Sequence, residues 1–292
     1  MADMAHIATD KKLDEMEARL TEIYSRASKE IQATADKYFA QFEKQDAAKR
    51  KLVEAGKLSE DEYKAWRKTE LMHGKRFKAL KEKCADQLLR VNEIANAYVN
   101  GKVPEVYALN YNSVGDVVDG INGYTFTLTD ANTVKMLSLK DDSLLPYKKL
   151  DPAKDIPWNM KKINSEVLQG ILQGDSIPNI AKRIMNVQEM NKNAAVRTAR
   201  TIVTGAENKG RQDGFEKATE DGIILKREWI ATSDSRTRDW HAELDGQTRG
   251  VDEPFENSMG KIMYPGDPAA SPANVYNCRC SLAAKVVGFK KK

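Results

Sequence analysis

The stretch Asn274–Leu282 reads NVYNCRCSL. It sets Cys278 and Cys280 one residue apart in a chain of 292 residues with only three cysteines. Extended to VYNCRCSLAAKVV (Val275–Val287), the segment has the composition of a strand. On a strand, residues two apart share a face, so both sulfurs look the same way. A disulfide between them would close a very small ring, on a backbone that holds the two Cα atoms near the upper limit for bridging. Two readings remain. The sulfurs are metal ligands, or they are small buried hydrophobes. In both, the end of the chain is a folded module built around this segment.

Working outward, IILKREWIATSD (Ile223–Asp234) alternates and is rich in isoleucine, which predicts a second strand. DSRTRDWHAELDG (Asp234–Gly246) predicts a short helix, with Asp234 or Ser235 as cap and Gly246 as stop. YPGDPAASPAN (Tyr264–Asn274) is a rigid Pro- and Gly-rich loop. On the short helix His241 and Asp245 lie four apart and share a face. If that helix crosses the cysteine strand, one imidazole and two thiolates converge, with Asp245 or Asp239 as fourth donor. Zinc accepts such a set, and a structural zinc ion would help a module with a small apolar core. The competing reading has the cysteines packed as apolar groups and the histidine simply hydrogen-bonded. Arg236 and Arg238 flank the helix start. They suit a phosphate, but the carboxylates of Asp239, Glu243 and Asp245 favour internal pairing.

The rest of the chain is helical in pattern. Leu13, Met16, Leu20, Ile23, Ala27, Ile31, Ala35, Tyr38 and Phe42 follow one another at steps of three or four. After Gly56, Ser59 and Glu62 form a capping-box pair that opens a second stripe, Tyr63 to Tyr98, which Gly101 and Pro104 are expected to end. Each helix would run to about 40 residues, or about 60 Å, and a short link would make them an antiparallel hairpin. Beyond Pro104 the pattern predicts a helix to Asp119, an extended piece turning helical near Asp130, and then helices over Trp158–Gln173, Ile177–Met185 and Asn191–Thr219. The fold class is therefore mostly α: a hairpin arm (1–103), a helical bundle (104–222), and a small C-terminal α+β module (223–292).

With 47 basic against 43 acidic residues, charge is largely offset, and a polyanion footprint needs clustering. Only Lys290, Lys291 and Lys292 are one-sided. The N-terminus lacks a secretory pattern, and no apolar run is long enough to span a bilayer, so no membrane role is expected. No Ser–His–Asp order, phosphate-cradling glycine loop or HExxH is present, and the module holds one histidine. An enzyme reading would use His241 as base and Arg238 as electrophile on phosphodiesters; a metal-dependent phosphodiester hydrolase would also need an open coordination position. The expectation is a non-enzyme.

The order WIATSDSRTRDWHAELDGQ, Phe255, YPGDP, NCRC resembles the phage Mu F-like head morphogenesis family, whose members are also called minor head or minor capsid proteins. The residues that carry it include Asp234, Arg236, Arg238, His241, Asp245, Gly246, Pro265, Gly266, Asn277, Cys278 and Cys280. The match covers about the last 100 residues, beginning in the helix NAAVRTARTIVTGAENKGRQDG. It implies a structural protein of a tailed phage or prophage, made in the host cytoplasm and carried in the virion, in the head interior or at the portal vertex. The partners it implies are the portal protein and the scaffolding or major capsid protein, with ejection alongside the DNA as a further implication. Some relatives carry an added toxin or ADP-ribosyltransferase domain after this module; with the chain ending VVGFKKK, none is expected here. An internal head protein that touches packaged DNA non-specifically through Lys290–Lys292 is the alternative.

Overall fold

The first apolar stripe forms a single helix, α1 (Met4–Glu54), of 51 residues. The computed structural model describes residues 3–141 and 143–290. It is mostly helical, with a small sheet module at the C-terminal end. The Ser59–Glu62 capping box forms as read and opens α2 (Glu60–Met72). The second stripe does not run unbroken: it stops at His73–Gly74 and restarts as α3 (Lys75–Asn112).

Gly101 and Pro104 do not end α3, which continues for two turns beyond them. A proline inside a helix removes one hydrogen bond and crowds the preceding turn, a cost of about 3 kcal/mol. Here Val103, Val106, Tyr107 and Ala108 are all buried around it, and their burial holds the helix through the defect. α6 (Pro152–Leu172) starts earlier than Trp158 and also runs through a proline, Pro157, which lies in its exposed N-terminal part. The two helices expected over Ile177–Met185 and Asn191–Thr219 are one, α7 (Ile177–Glu220). Its polar middle is not a break, because Asn191 donates to the Val187 carbonyl and to Asn159 Oδ1, both at 2.8 Å. Short helices α4 (Gly115–Val118) and α5 (Ala131–Ser138) lie between, and Asp130 caps α5 through the Asn132 and Thr133 amides.

Contacts divide the chain into two units made of non-consecutive segments. The first comprises Arg19–Asn96 and Lys149–Ala195. Its pairings run in opposite chain order: Tyr24 with Asn92 (2.6 Å), Tyr38 with Phe77 (6.1 Å between rings), Phe42 stacked on Trp66 (5.6 Å) and Asp46 with Tyr63 (2.7 Å). This is the antiparallel hairpin. α6 and the start of α7 complete its core, which includes Ile31, Phe39, Phe77, Leu88, Ile163 and Ile184. Cys84 sits in that core, and burial pushes its thiol up to about 12, so it is an apolar filler.

The second unit comprises Met1–Ala18, Ala97–Lys148 and Val196–Lys292. Its sheet has the order β2–β1–β5, all antiparallel: β1 (Ile223–Ile230) lies between β2 (Thr248–Gly250) and β5 (Ser281–Phe289). The pairing sets Trp229 opposite Leu282. A separate hairpin joins β3 (Phe255–Asn257) to β4 (Gly260–Ile262). Two further helical turns, α8 (Asp239–Ala242) and α9 (Pro272–Val275), flank the sheet. β1 alternates as expected, with Ile223, Leu225 and Trp229 buried; Arg227 is buried on the same face. Against the sheet, α7 packs closely on α3. A Cβ at Gly210 would meet the Tyr107 carbonyl oxygen at 2.4 Å, so the backbones approach at a distance only glycine allows.

Candidate functional site

The cysteines do not lie on a strand. β5 begins at Ser281, and Tyr276–Cys280 is a turn following α9. Its turning point is Asn277, the described non-glycine residue with positive φ (56°), a conformation that asparagine tolerates better than most residues. The turn, not strand alternation, aims both sulfurs inward. α8 is likewise only four residues long, and Arg238 rather than Asp234 stands at its N-cap position.

What fixes the turn is one face of α7. Thr201 Oγ1 accepts the Asn277 amide (2.9 Å), and Thr204 Oγ1 donates to the Cys278 carbonyl (2.8 Å). Asn208 donates to the Cys280 carbonyl (3.2 Å) and accepts the Leu282 amide (3.0 Å). Arg211 donates to the Leu282 carbonyl (2.7 Å) and forms an ion pair with Asp3. Residues 201, 204, 208 and 211 are spaced three, four and three apart, one helical stripe. Sequence reasoning missed them, although a polar stripe beside the apolar Ala199, Ile202, Val203 and Ala206 was a readable signal. It also missed Arg227. That guanidinium is fully buried, donates to the carbonyls of Gly250, Met263 and Glu253 and to Gln212 Oε1, and lies over the Phe255 ring. Burial lowers its pKa to about 10, so it stays charged, stitching β2 and the loop after β4 to the sheet.

The expected convergence is present. His241, Cys278 and Cys280 are all buried, and their ligand atoms lie within 4.8 Å of one another. His241 Nδ1 is 3.6 Å from Cys278 Sγ and 3.4 Å from Cys280 Sγ. The Cys280 amide donates to Cys278 Sγ at 3.4 Å. All three cysteines are free thiols. Cys278 hydrogen-bonds Cys280, and the pair divides: the Cys280 thiol drops to about 5 through that bond and through His241, against burial, while Cys278 is pushed well up. Edge-on contact with Trp229 (6.2 Å between rings) holds the imidazole from one side. This trio is a donor set that could hold a metal ion.

Asp245 is not part of it. Beyond the end of α8 its carboxylate accepts the Ala231 amide (2.8 Å), closing the turn back to β1. Next to it Gly246, at φ 71°, donates to the Trp229 carbonyl (2.9 Å). Asp234 takes Arg279 in a two-pronged pair at 2.6 Å, which holds its carboxyl well below the usual range. Arg236 reaches the same carboxylate at 3.5 Å. Arg238 donates to the carbonyls of Ala273 (3.3 Å) and Tyr276, so the expected pairing with Asp239, Glu243 or Asp245 is replaced by backbone capping of α9. A small recess of about 60 Å³ borders the trio, lined in part by Arg200, Arg236, Arg238 and Arg279.

The loop motif is also structural. At Gly266 (φ 81°) a Cβ would fall 2.7 Å from Gly205 Cα, so two glycines let the loop lie on α7. Pro265 precedes this contact, and Asp267 accepts the Met263 and Ala269 amides (3.1 and 2.9 Å). Lys290 bends back, its Nζ donating to the Thr219 carbonyl at 2.9 Å. Lys291 and Lys292 lie outside the described residues.

Residues 161–283 match the model of the family described as Phage Mu protein F like protein. Across 96% of the chain and 86% of the relative, it is 23% identical to the Minor head protein GP7 of Bacillus phage SPP1. The Mu F-like match lies in residues 161–283, and likeness to a phage minor head protein runs along nearly the whole chain. Over 129 residues it is 34% identical to an NAD(+)–arginine ADP-ribosyltransferase, EFV, of Enterococcus faecalis; that stretch is 44% of this chain and 26% of the enzyme. An uncharacterised Bacillus subtilis protein, YqbB, is 28% identical over 152 residues, about half the length of each chain. No solved structure matches.

Proposed function

We propose that this chain is a structural component of a phage head that acts in head morphogenesis by binding other head proteins. The portal protein is the first candidate, with the scaffolding or major capsid protein as others, and the head interior or portal vertex as its place in the virion. The observation that carries this reading is the match to a phage minor head protein along 96% of the chain, which takes in the helical hairpin as well as the C-terminal module.

The reading is of a non-enzyme. The activity in the name of the Enterococcus relative belongs to a protein of which the shared stretch is about a quarter. His241 is buried on two sulfurs, and Arg238 is spent on backbone carbonyls, which leaves neither placed to act on a phosphodiester. Packaged DNA is the weaker candidate partner. Of the three terminal lysines, Lys290 is turned onto the Thr219 carbonyl, and many surface cations are already paired along the helices. Among the described residues no helix is long and apolar enough to cross a membrane.

Co-expression of the full chain with the portal protein encoded in the same phage genome tests the partner. The expected result is a complex that survives size-exclusion chromatography. Separate elution of a folded chain and an intact portal ring would contradict the portal assignment.

A further inference from the structure

We propose that His241, Cys278 and Cys280 bind a single zinc ion whose fourth coordination position is open to the arginine-lined recess and is filled by an exogenous oxygen ligand, water or a small oxyanion. With metal–sulfur and metal–nitrogen bonds of about 2.3 and 2.0–2.1 Å, a tetrahedral centre separates sulfur from nitrogen by about 3.5 Å. The two observed separations are 3.6 and 3.4 Å. Hydrogen bonding alone does not account for them. One ring N–H can aim at one sulfur, yet Nδ1 is almost equidistant from both. A cation between the three atoms satisfies all of them at once. The backbone amide on Cys278 Sγ is a bond that a metal-bound thiolate accepts.

The ligands come from two elements with no regular hydrogen-bond ladder between them. α8 is a single turn and the Asn277–Cys280 segment is irregular. A metal clip between them is the device by which small modules with little core are stabilised. No carboxylate joins the trio among the described residues, so the protein supplies three donors. The recess they border, about 60 Å³, is large enough to hold water or a small oxyanion. Its rim carries four guanidiniums, Arg200, Arg236, Arg238 and Arg279, against the carboxylates of Glu17 and Asp234. Zinc with two thiolates is neutral, so the surplus positive charge favours an anionic oxygen in the open position.

The proposal is independent of the head-assembly reading. Its test uses the full chain, purified without a histidine tag from zinc-supplemented medium. Elemental analysis should give one zinc per chain, falling to none in Cys278→Ser/Cys280→Ser. Because that variant can fail to fold for loss of packing alone, the second measurement is on the unaltered chain. Exchange of zinc for cobalt(II) should give the intense visible bands of a tetrahedral site with thiolate-to-metal charge transfer. Added azide should shift those bands. A folded chain that carries no zinc and develops no cobalt bands, or one whose mass shows a Cys278–Cys280 disulfide, would overturn the metal site. Cobalt bands that ignore azide would overturn the open position.

Discussion

Asn208 makes the strongest single test of how the C-terminal turn is held. It is fully buried and satisfies the Cys280 carbonyl and the Leu282 amide together. Asn208→Ala strands both groups in the interior, and each buried group without a partner costs about 1–3 kcal/mol. The expected loss is at least about 2 kcal/mol, read as a lower urea midpoint at unchanged slope; a change within about 0.5 kcal/mol would show that the stripe on α7 does not carry the turn. At this scale the sequence was informative about which residues meet and misleading about how. His241, Cys278 and Cys280 converge, but through a positive-φ asparagine and a one-turn helix rather than a strand crossed by a longer one. Asp245 was misplaced for the same reason: the i to i+4 argument requires a helix, and α8 has ended before it. Motif spacing records contacts, while the backbone that delivers them depends on α7, which is distant in the sequence.

Among the elements, the N-terminal end of α1 is tied to α7 by a titratable pair. His6 Nδ1 is 2.7 Å from the buried Glu207 carboxylate, with Asp10 at 3.8 Å on its other nitrogen, and Arg211 bridges Glu207 and Asp3. The bond to Glu207 raises His6 above its ordinary value of 6.5, and burial raises Glu207. Both groups hold protons more tightly when folded than when unfolded. The His6 contribution is therefore full below about pH 6.5 and is lost as pH rises through its raised value, while that of Glu207 is already being lost above about pH 4.5. The melting temperature of the unaltered chain should exceed that of His6→Gln at about pH 6, by about 2–4 °C if the pair is worth about 1 kcal/mol, and the gap should close toward about pH 9. A gap independent of pH would remove the ion pair from the account. Element types were largely legible: the capping box at Ser59, the cap at Asp130 and the alternation of β1 all form as read. Boundaries were not. Pro104, Pro157 and the polar stretch before Asn191 look like stops locally, yet α3, α6 and α7 run through them, α3 and α7 with buried residues on both sides.

At the scale of the whole molecule, chain order and packing order differ. α1, α3 and α7 each contribute residues to both units, so neither unit is a continuous piece that truncation can remove. Deleting residues 1–100 takes Asp3, His6, Lys12 and Glu17 from the unit that holds the C-terminal module, and with them the partners of Arg211, Glu207, Glu105 and Arg200. Such a deletion would report on folding before binding, and surface substitutions on the folded chain are the better probe of assembly. The resemblance read in the last 100 residues stood in the motif order; its extension along the helical region rests on likeness to a full-length minor head protein and left no motif to read. The central claim, a structural role in the phage head, is tested most directly by an asymmetric reconstruction of heads from the phage that encodes this chain. The account predicts density for the chain in few copies inside the head, at the portal vertex. Heads complete in every other component, with no trace of the chain in reconstruction or in their protein content at any stage of assembly, would contradict it.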